Sequence, residues 1–187
     1  MTHARDESFR HLFHEACAFA ARKHRHQIRK DGKTPYISHL FRVALTVRHV
    51  FGCEDELTLA AALLHDTIED TQTDFEDLAD RFGPEVARLV AALTNNMALP
   101  EPARERDYDA RLAASDWRAR LIKLADTYDN MLDFHSALHP PGKHNEYLER
   151  LRRAIELARP DAADARAHPA VARAIDLCSR LLDAEPA

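Results

Sequence analysis

The chain has 187 residues, 45% of them hydrophobic and 30% charged, with a formal net charge of −5; that is enough apolar content to bury the core of one domain and stay soluble. Its acidic balance argues against a nucleic-acid binder, whose surface must neutralise phosphate. No stretch approaches the ~20 uncharged apolar residues of a membrane span.

Only four residues are glycine, and Ala, Leu, Arg and the acidic residues dominate, which favours helix almost throughout. Phe9, Leu12, Phe13, Ala16, Cys17 and Ala20 recur at helical spacing, so residues 7–26 are expected to form an amphipathic helix. IRKDGKTPY (28–36) contains Asp-Gly and Pro and reads as a loop. A helix is expected over 37–51, with Ile37, Leu40, Val43, Ala44 and Val47 on one face and Gly52 as its stop. The next, over about 55–68, is apolar nearly all round and is expected at the centre.

A short helix from Thr73-Asp74 to Phe82 is followed by Gly83 and by Pro84, which opens a helix over 84–94. The two-proline segment 95–107 reads as a loop. Ser115 is placed as the N-cap of a long helix, 116–134. HPPGK (139–143) breaks the chain, and helices are expected over 144–158 and 168–183 with 160–167 between them. No strand pair or internal repeat is visible. The expected fold is all-α, a single-domain helical bundle of about eight to ten helices over residues 1–187.

Cys17, Cys53 and Cys178 are far apart and never form a CxxC, which argues for a reducing compartment and against a thiolate metal site. The charged N-terminus, MTHARDESFRHLF, lacks the apolar core of a secretory signal. A cytoplasmic protein is expected.

The residues that carry chemistry lie at the end of the central helix. In LLHDTIEDT (63–71), His65 pairs with Glu69, and Asp66 with Asp70, at i,i+4. Such a group is either a solvated helix end or a site where a cation offsets the crowding of charge. His39 and Asp126 supply two further candidate ligands, although each also has a structural reading: a core-edge histidine, and one member of a wet stripe with Asp129, Asn130 and Asp133. Two imidazoles and two carboxylates suit Mn²⁺, Fe²⁺ or Zn²⁺. Arg29 and Lys30 likewise read, on composition alone, as part of a solvated basic loop.

The order His39, His65-Asp66, Asp126 is similar to the H…HD…D pattern of the HD-domain metal-dependent phosphohydrolases. More specifically, AARKHRHQIRKDGKTPYISHLFRVA (20–44), AALLHDTIEDT (61–71) and LIKLADTYDNM (121–131) resemble the hydrolase domains of the RelA/SpoT family and its stand-alone small alarmone hydrolases. The resemblance covers roughly residues 9–160. It implies that His39, His65, Asp66 and Asp126 bind Mn²⁺, and that Glu69 and Asp70 activate water and assist proton transfer. It implies a purine nucleotide substrate whose 3′-pyrophosphate is hydrolysed, with no nucleic-acid or membrane partner. Arg29, Lys30, Asn130, Lys143 and Tyr147 then contact that substrate. No synthetase domain fits in this length, so a stand-alone hydrolase is expected.

Some positions depart from the family pattern. Lys143 stands where relatives carry Arg, and Asp129 precedes Asn130 where they often have His or Tyr. Leu132 replaces an Arg, and the 95–107 segment is not Lys-rich, although Arg104 and Arg106 are available there. Asp129 is expected to bring negative charge near an anionic substrate. These departures leave room for an adenosine alarmone, NADPH or another nucleotide as substrate; a nucleotide-binding regulator without catalysis is a separate alternative, against which the intact Glu69-Asp70 pair argues.

Overall fold

The structure, a computed structural model, describes residues 2–134, 139 and 142–184. Pro140 and Pro141 of the expected break, and the side chain of Phe9, lie outside what is described. Among the described residues the architecture is all-helical, as the composition favoured.

Helix α1 (Thr2–Lys23) buries Ala16, Phe19 and Ala20. The basic loop that follows is ordered by its own chemistry. Asp31 accepts hydrogen bonds from the Lys33 and Thr34 amides and the Thr34 hydroxyl, and Ile28 bridges Pro35. Helix α2 (Ile37–Leu45) runs on through a π turn, Thr46–Val50. It stops at Gly52, whose φ is +78°. A Cβ there would lie 2.8 Å from Arg173 Nη1, the mobile tip of a side chain, so it is the left-handed backbone that favours glycine here.

Helix α3 (Glu56–Leu64) is N-capped by Asp55, which accepts from the Thr58 amide. Leu59 to Leu64 are fully buried, and α3 packs against α1, α2, α6 (Pro84–Leu93) and α8 (Trp117–Asp133). A helix apolar all round belongs at the centre.

The expected continuous helix to residue 68 is interrupted. Asp66 sits at φ −98°, ψ 0° before a single turn, α4 (Thr67–Asp70). Side chains take over the last carbonyls of α3: His65 Nδ1 meets the Ala62 carbonyl at 2.8 Å and Thr67 Oγ1 donates to that of Leu64 at 2.6 Å. Helix ends need such partners. Helix α5 (Phe75–Phe82), capped by Asp74, leads through Gly83 into α6.

The 95–107 segment is not all loop, because helix α7 (Glu101–Ala114) begins within it. Pro100 is its N-cap residue and Pro102 its second position, where a missing amide hydrogen costs nothing. The two prolines therefore start a helix there instead of breaking one. The N-cap of α8 is Asp116, which accepts from the Arg118 amide. Ser115 instead closes α7 by donating to the Leu112 carbonyl. Helix α9 (Lys143–Ala162) continues past Pro160, beyond its expected end, and α10 (Pro169–Ala184) packs on α8 and α9. Among the described residues no helix is long and apolar enough to cross a membrane.

Candidate active site

Three elements meet where α3 ends. The first turn of α2 carries His39, the α3–α4 junction carries His65 and Asp66, and the middle of α8 carries Asp126. The donor atoms of His39, His65 and Asp126 all lie within 4.8 Å of one another. His39 Nε2 is 3.2 Å from Asp126 Oδ1, and His65 Nε2 is 3.8 Å from the same oxygen. Asp66 completes the rim: its Oδ2 lies 3.1 Å from His65 Nε2 and 3.8 Å from His39 Nε2 while accepting from Tyr36 Oη at 2.6 Å.

The imidazoles are oriented for a ligand. His65 Nδ1 meets a carbonyl, which only accepts, so Nδ1 carries a hydrogen and in the neutral imidazole Nε2 is the nitrogen left to bind a ligand. That Nε2 is buried without a hydrogen-bond partner. His39 Nδ1 meets Asp129 Oδ2 at 2.7 Å, which again leaves Nε2 facing the cluster. A buried nitrogen lacking a partner is costly unless something binds it, and ligands ~2.1 Å from one ion at right angles to each other lie about 3 Å apart. The donor set fits a divalent cation.

The electrostatics agree. Burial alone would depress His65, but Asp66 and Asp126 push it up to about 9. Burial alone would raise Asp66, yet His65 beside it brings it down to about 2. Asp126 lies well below the carboxylate range, against its burial, because Lys123 and the two histidines surround it. The site is charged and closely balanced, a state in which a cation competes with protons.

A cavity of about 380 Å³ opens over these atoms, large enough for a small ligand. Glu69, Asp70, Arg29, Lys30, Asn130 and Tyr147 line it together with His39, His65, Asp66 and Asp126. Glu69 is fixed by Asn95, whose backbone amide donates to Oε2 at 2.8 Å and whose side-chain amide reaches both oxygens. Asp70 is pushed up by burial and by the charges of Asp66 and Glu69. Arg29 donates to Asp133 Oδ2 and Asn130 Oδ1 and lies over the Tyr36 ring. Lys30 donates to the Tyr147 hydroxyl.

Lys143 is not brought to this cavity; it pairs with Glu146 at 2.5 Å. Leu132 is 55% exposed and does not line the cavity either. Asp129 does not face it: it is 3% exposed and turned toward His39 and Arg42. Arg104 lines an adjoining cavity of about 290 Å³ that shares Glu69, Asn95, Tyr108, Lys123 and Arg150. Arg106 is exposed and lines neither.

Sequence reasoning missed Tyr36, Asn95 and Lys123. Lys123 donates to Asp126 Oδ2 at 2.9 Å, and its i,i+3 spacing was a readable signal. Asn95 had none, since its partner Glu69 is 26 residues away.

Residues 16–155 match the model of the HD domain. The chain belongs to the HD-domain family. Its relatives include the guanosine-3′,5′-bis(diphosphate) 3′-pyrophosphohydrolase MESH1 of Drosophila melanogaster, 46% identical over 123 residues, which are 65% of this chain and 68% of that protein. The human MESH1 is 45% identical over 122 residues, with the same coverage. A guanosine-3′,5′-bis(diphosphate) 3′-pyrophosphohydrolase of Aquifex aeolicus is 41% identical over 119 residues, 62% of this chain but 17% of that longer protein.

Among solved structures, one described as a metazoan ortholog of SpoT that hydrolyzes ppGpp superposes with a TM-score of 0.77 at 34% identity, over 90% of this chain and 94% of that one. A protein of Listeria monocytogenes EGD-e gives 0.63 at 25% identity, over 80% of this chain and 94% of that one. The HD-domain fold expected from the sequence is thus the observed one.

Proposed function

We propose that this HD-domain protein is a Mn²⁺-dependent hydrolase of (p)ppGpp-type alarmones that acts in the cytoplasm as one domain over residues 1–187. The hydrolysis yields pyrophosphate and GDP or GTP. The observation that carries this reading is the juxtaposition of a four-residue donor set with Glu69 and Asp70 in one cavity edged by Arg29 and Lys30. The MESH1 relatives, named for this activity, support the choice of substrate.

His39, His65, Asp66 and Asp126 would hold the metal. A divalent cation there supplies Lewis acidity and makes a water acidic enough to attack at neutral pH. Glu69, pinned by Asn95, accepts the proton of the attacking water. Asp70, whose carboxyl is raised, holds a proton more readily than a free aspartate and is suited to pass one to the departing ribose 3′-oxygen. Arg29 presents a flat guanidinium against the purine, and Lys30 and Tyr147 meet phosphate and sugar. Oxygen- and nitrogen-rich coordination without thiolates is compatible with Mn²⁺, Fe²⁺ and Zn²⁺.

The adenosine and NADPH alternatives drew on Asp129 and Leu132, and both lie away from the cavity. That removes their motive. The test is turnover of ppGpp by the metal-loaded protein, followed by pyrophosphate release beside pppApp and NADPH. Release from ppGpp at the highest kcat/KM is expected. Metal bound without turnover of any nucleotide would reject the catalytic reading in favour of a regulator.

A further inference from the structure

Asp129 lies deep between α2 and α8. Its Oδ2 is 2.7 Å from His39 Nδ1 and 2.9 Å from Arg42 Nη2, and its Oδ1 is 2.7 Å from Arg42 Nε. Arg42 therefore grips it through two parallel contacts, the strongest form of charged hydrogen bond. The geometry follows from helix periodicity. His39 and Arg42 are i,i+3 on α2, and Asp129 and Asp133 are i,i+4 on α8, so each pair faces the other.

The contacts continue. Arg42 Nη2 is 3.2 Å from Asp133 Oδ2, which also accepts from Arg29 Nε and Nη2 at 3.0 and 2.8 Å. Arg29 Nη2 donates to Asn130 Oδ1 at 3.0 Å, and Asn130 Nδ2 donates to Asp126 Oδ1 at 2.6 Å. That oxygen faces His39 Nε2 at 3.2 Å. The circuit closes: His39, Asp129, Arg42, Asp133, Arg29, Asn130, Asp126. It sets two guanidinium groups against the carboxylates of Asp129 and Asp133.

We infer that Arg42 and Asp129 are positioning residues of the HD site, forming a brace that fixes the His39 imidazole toward the metal position and, through Asp133, sets Arg29 at the nucleotide edge. The inference rests on the metal-site reading proposed above. Asp129, which stands out in the sequence as a charge near the substrate, is assigned to the opposite side of a ligand. A carboxylate behind a histidine fixes its tautomer and plane and strengthens it as a donor. Asp129 alone would be a poor choice there, because an unpaired buried carboxylate is strongly disfavoured. Arg42 offsets that cost, and its contact with Asp133 ties the metal side to the basic loop.

An ordinary helix-to-helix ion pair would stabilise α2 against α8 and do nothing else. The experiment separates the two roles by measuring Mn²⁺ affinity of the metal-stripped full chain by equilibrium competition with a chelator, together with kcat, KM for ppGpp and urea stability. Asp129→Asn is expected to weaken Mn²⁺ binding about 10- to 100-fold. Arg42→Gln is expected to weaken it in the same direction, with Arg42→Lys restoring part of the loss. The double variant Asp129→Asn/Arg42→Gln should lose less than the product of the two single losses, because both act through one contact. Asp133→Asn should raise KM while Mn²⁺ affinity stays within twofold of wild type.

Wild-type Mn²⁺ affinity in both Asp129→Asn and Arg42→Gln, with stability lowered, would overturn the brace and leave a structural pair. If Asp129→Asn does not fold, Arg42→Gln and Arg42→Lys decide alone. His39→Ala serves as reference: if it binds Mn²⁺ like wild type, the metal-site reading itself fails, a result distinct from failure of the brace.

Discussion

Glu69 is held by three hydrogen bonds from a single residue, Asn95, and two of them come from its side-chain amide. This arrangement needs a carboxylate. In Glu69→Gln one oxygen becomes an NH₂ group facing the Asn95 donors, so the variant loses both the proton acceptor and the match to its support. Such a change is expected to lower kcat by about 10²- to 10⁴-fold with little change in Mn²⁺ affinity, since Glu69 is outside the proposed ligand set. Asn95→Ala removes only the side-chain contacts and keeps the carboxylate, so its kcat should fall by a smaller factor at similar KM. Steady-state assays of both variants, beside metal titration, check the order. Equal losses in kcat and Mn²⁺ affinity for Glu69→Gln would make Glu69 a ligand and remove it as the base.

At the scale of the helices, Arg120 joins three of them. It is 9% exposed and grips Asp161 of α9 through Nε and Nη2 at 2.5 and 2.8 Å. Its Nη1 donates to the carbonyls of Leu112, Ala113 and Ser115 at the end of α7. Asp161 lies one residue past Pro160, in the part of α9 that continues beyond the end expected from the sequence. Removing one partner of a buried pair leaves the other charge without compensation, so Arg120→Ala should cost about 3–5 kcal/mol. Arg120→Lys keeps the charge but cannot fork and should cost less. Urea unfolding reads both, and unchanged stability in Arg120→Ala would remove this role.

The same scale separates what was legible from what was not. Helical periodicity revealed α2, α6 and α8, because each carries apolar residues at regular spacing, and a nearly unbroken apolar run revealed α3. It failed at α7, where Pro100 and Pro102 look like breakers but occupy the N-cap and second positions. The adjacency of His65 and Asp66 and the i,i+4 step to Glu69 and Asp70 were readable because they are local. Contacts between Arg42 and Asp129, 87 residues apart, leave no local trace, so Asp129 read as a substrate-facing charge until α2 and α8 were seen together.

For the molecule as a whole, the cluster of His65, Asp66 and Asp126 couples stability to pH. In the metal-free chain His65 is held up to about 9, above an unfolded value of about 6.5. Its stabilising contribution is complete below about pH 6.5 and is lost as pH rises through about 9. Asp66 is held down to about 2, below about 3.9 when unfolded. Its contribution is complete above that value and is lost as pH falls through about 2. The contributions of these two groups are both complete only between about pH 4 and 6.5. The loss toward pH 9 is on the order of 3 kcal/mol.

A cation bound there would cancel the alkaline half of this dependence, since His65 would then be neutral in both the folded and the unfolded state. It needs His65 neutral, so its affinity rises with pH toward about 9, by close to tenfold per unit where the proton must leave first. A ligand that binds only the folded state raises its stability by mass action. Excess Mn²⁺ should therefore raise Tm more at pH 8 than at pH 6, and the metal-free melt should fall over the same interval. Thermal melts at the two pH values, with and without Mn²⁺, give the four numbers required. A Mn²⁺-induced shift that is equal at both values would mean that no proton is displaced, and so that His65 is not a ligand.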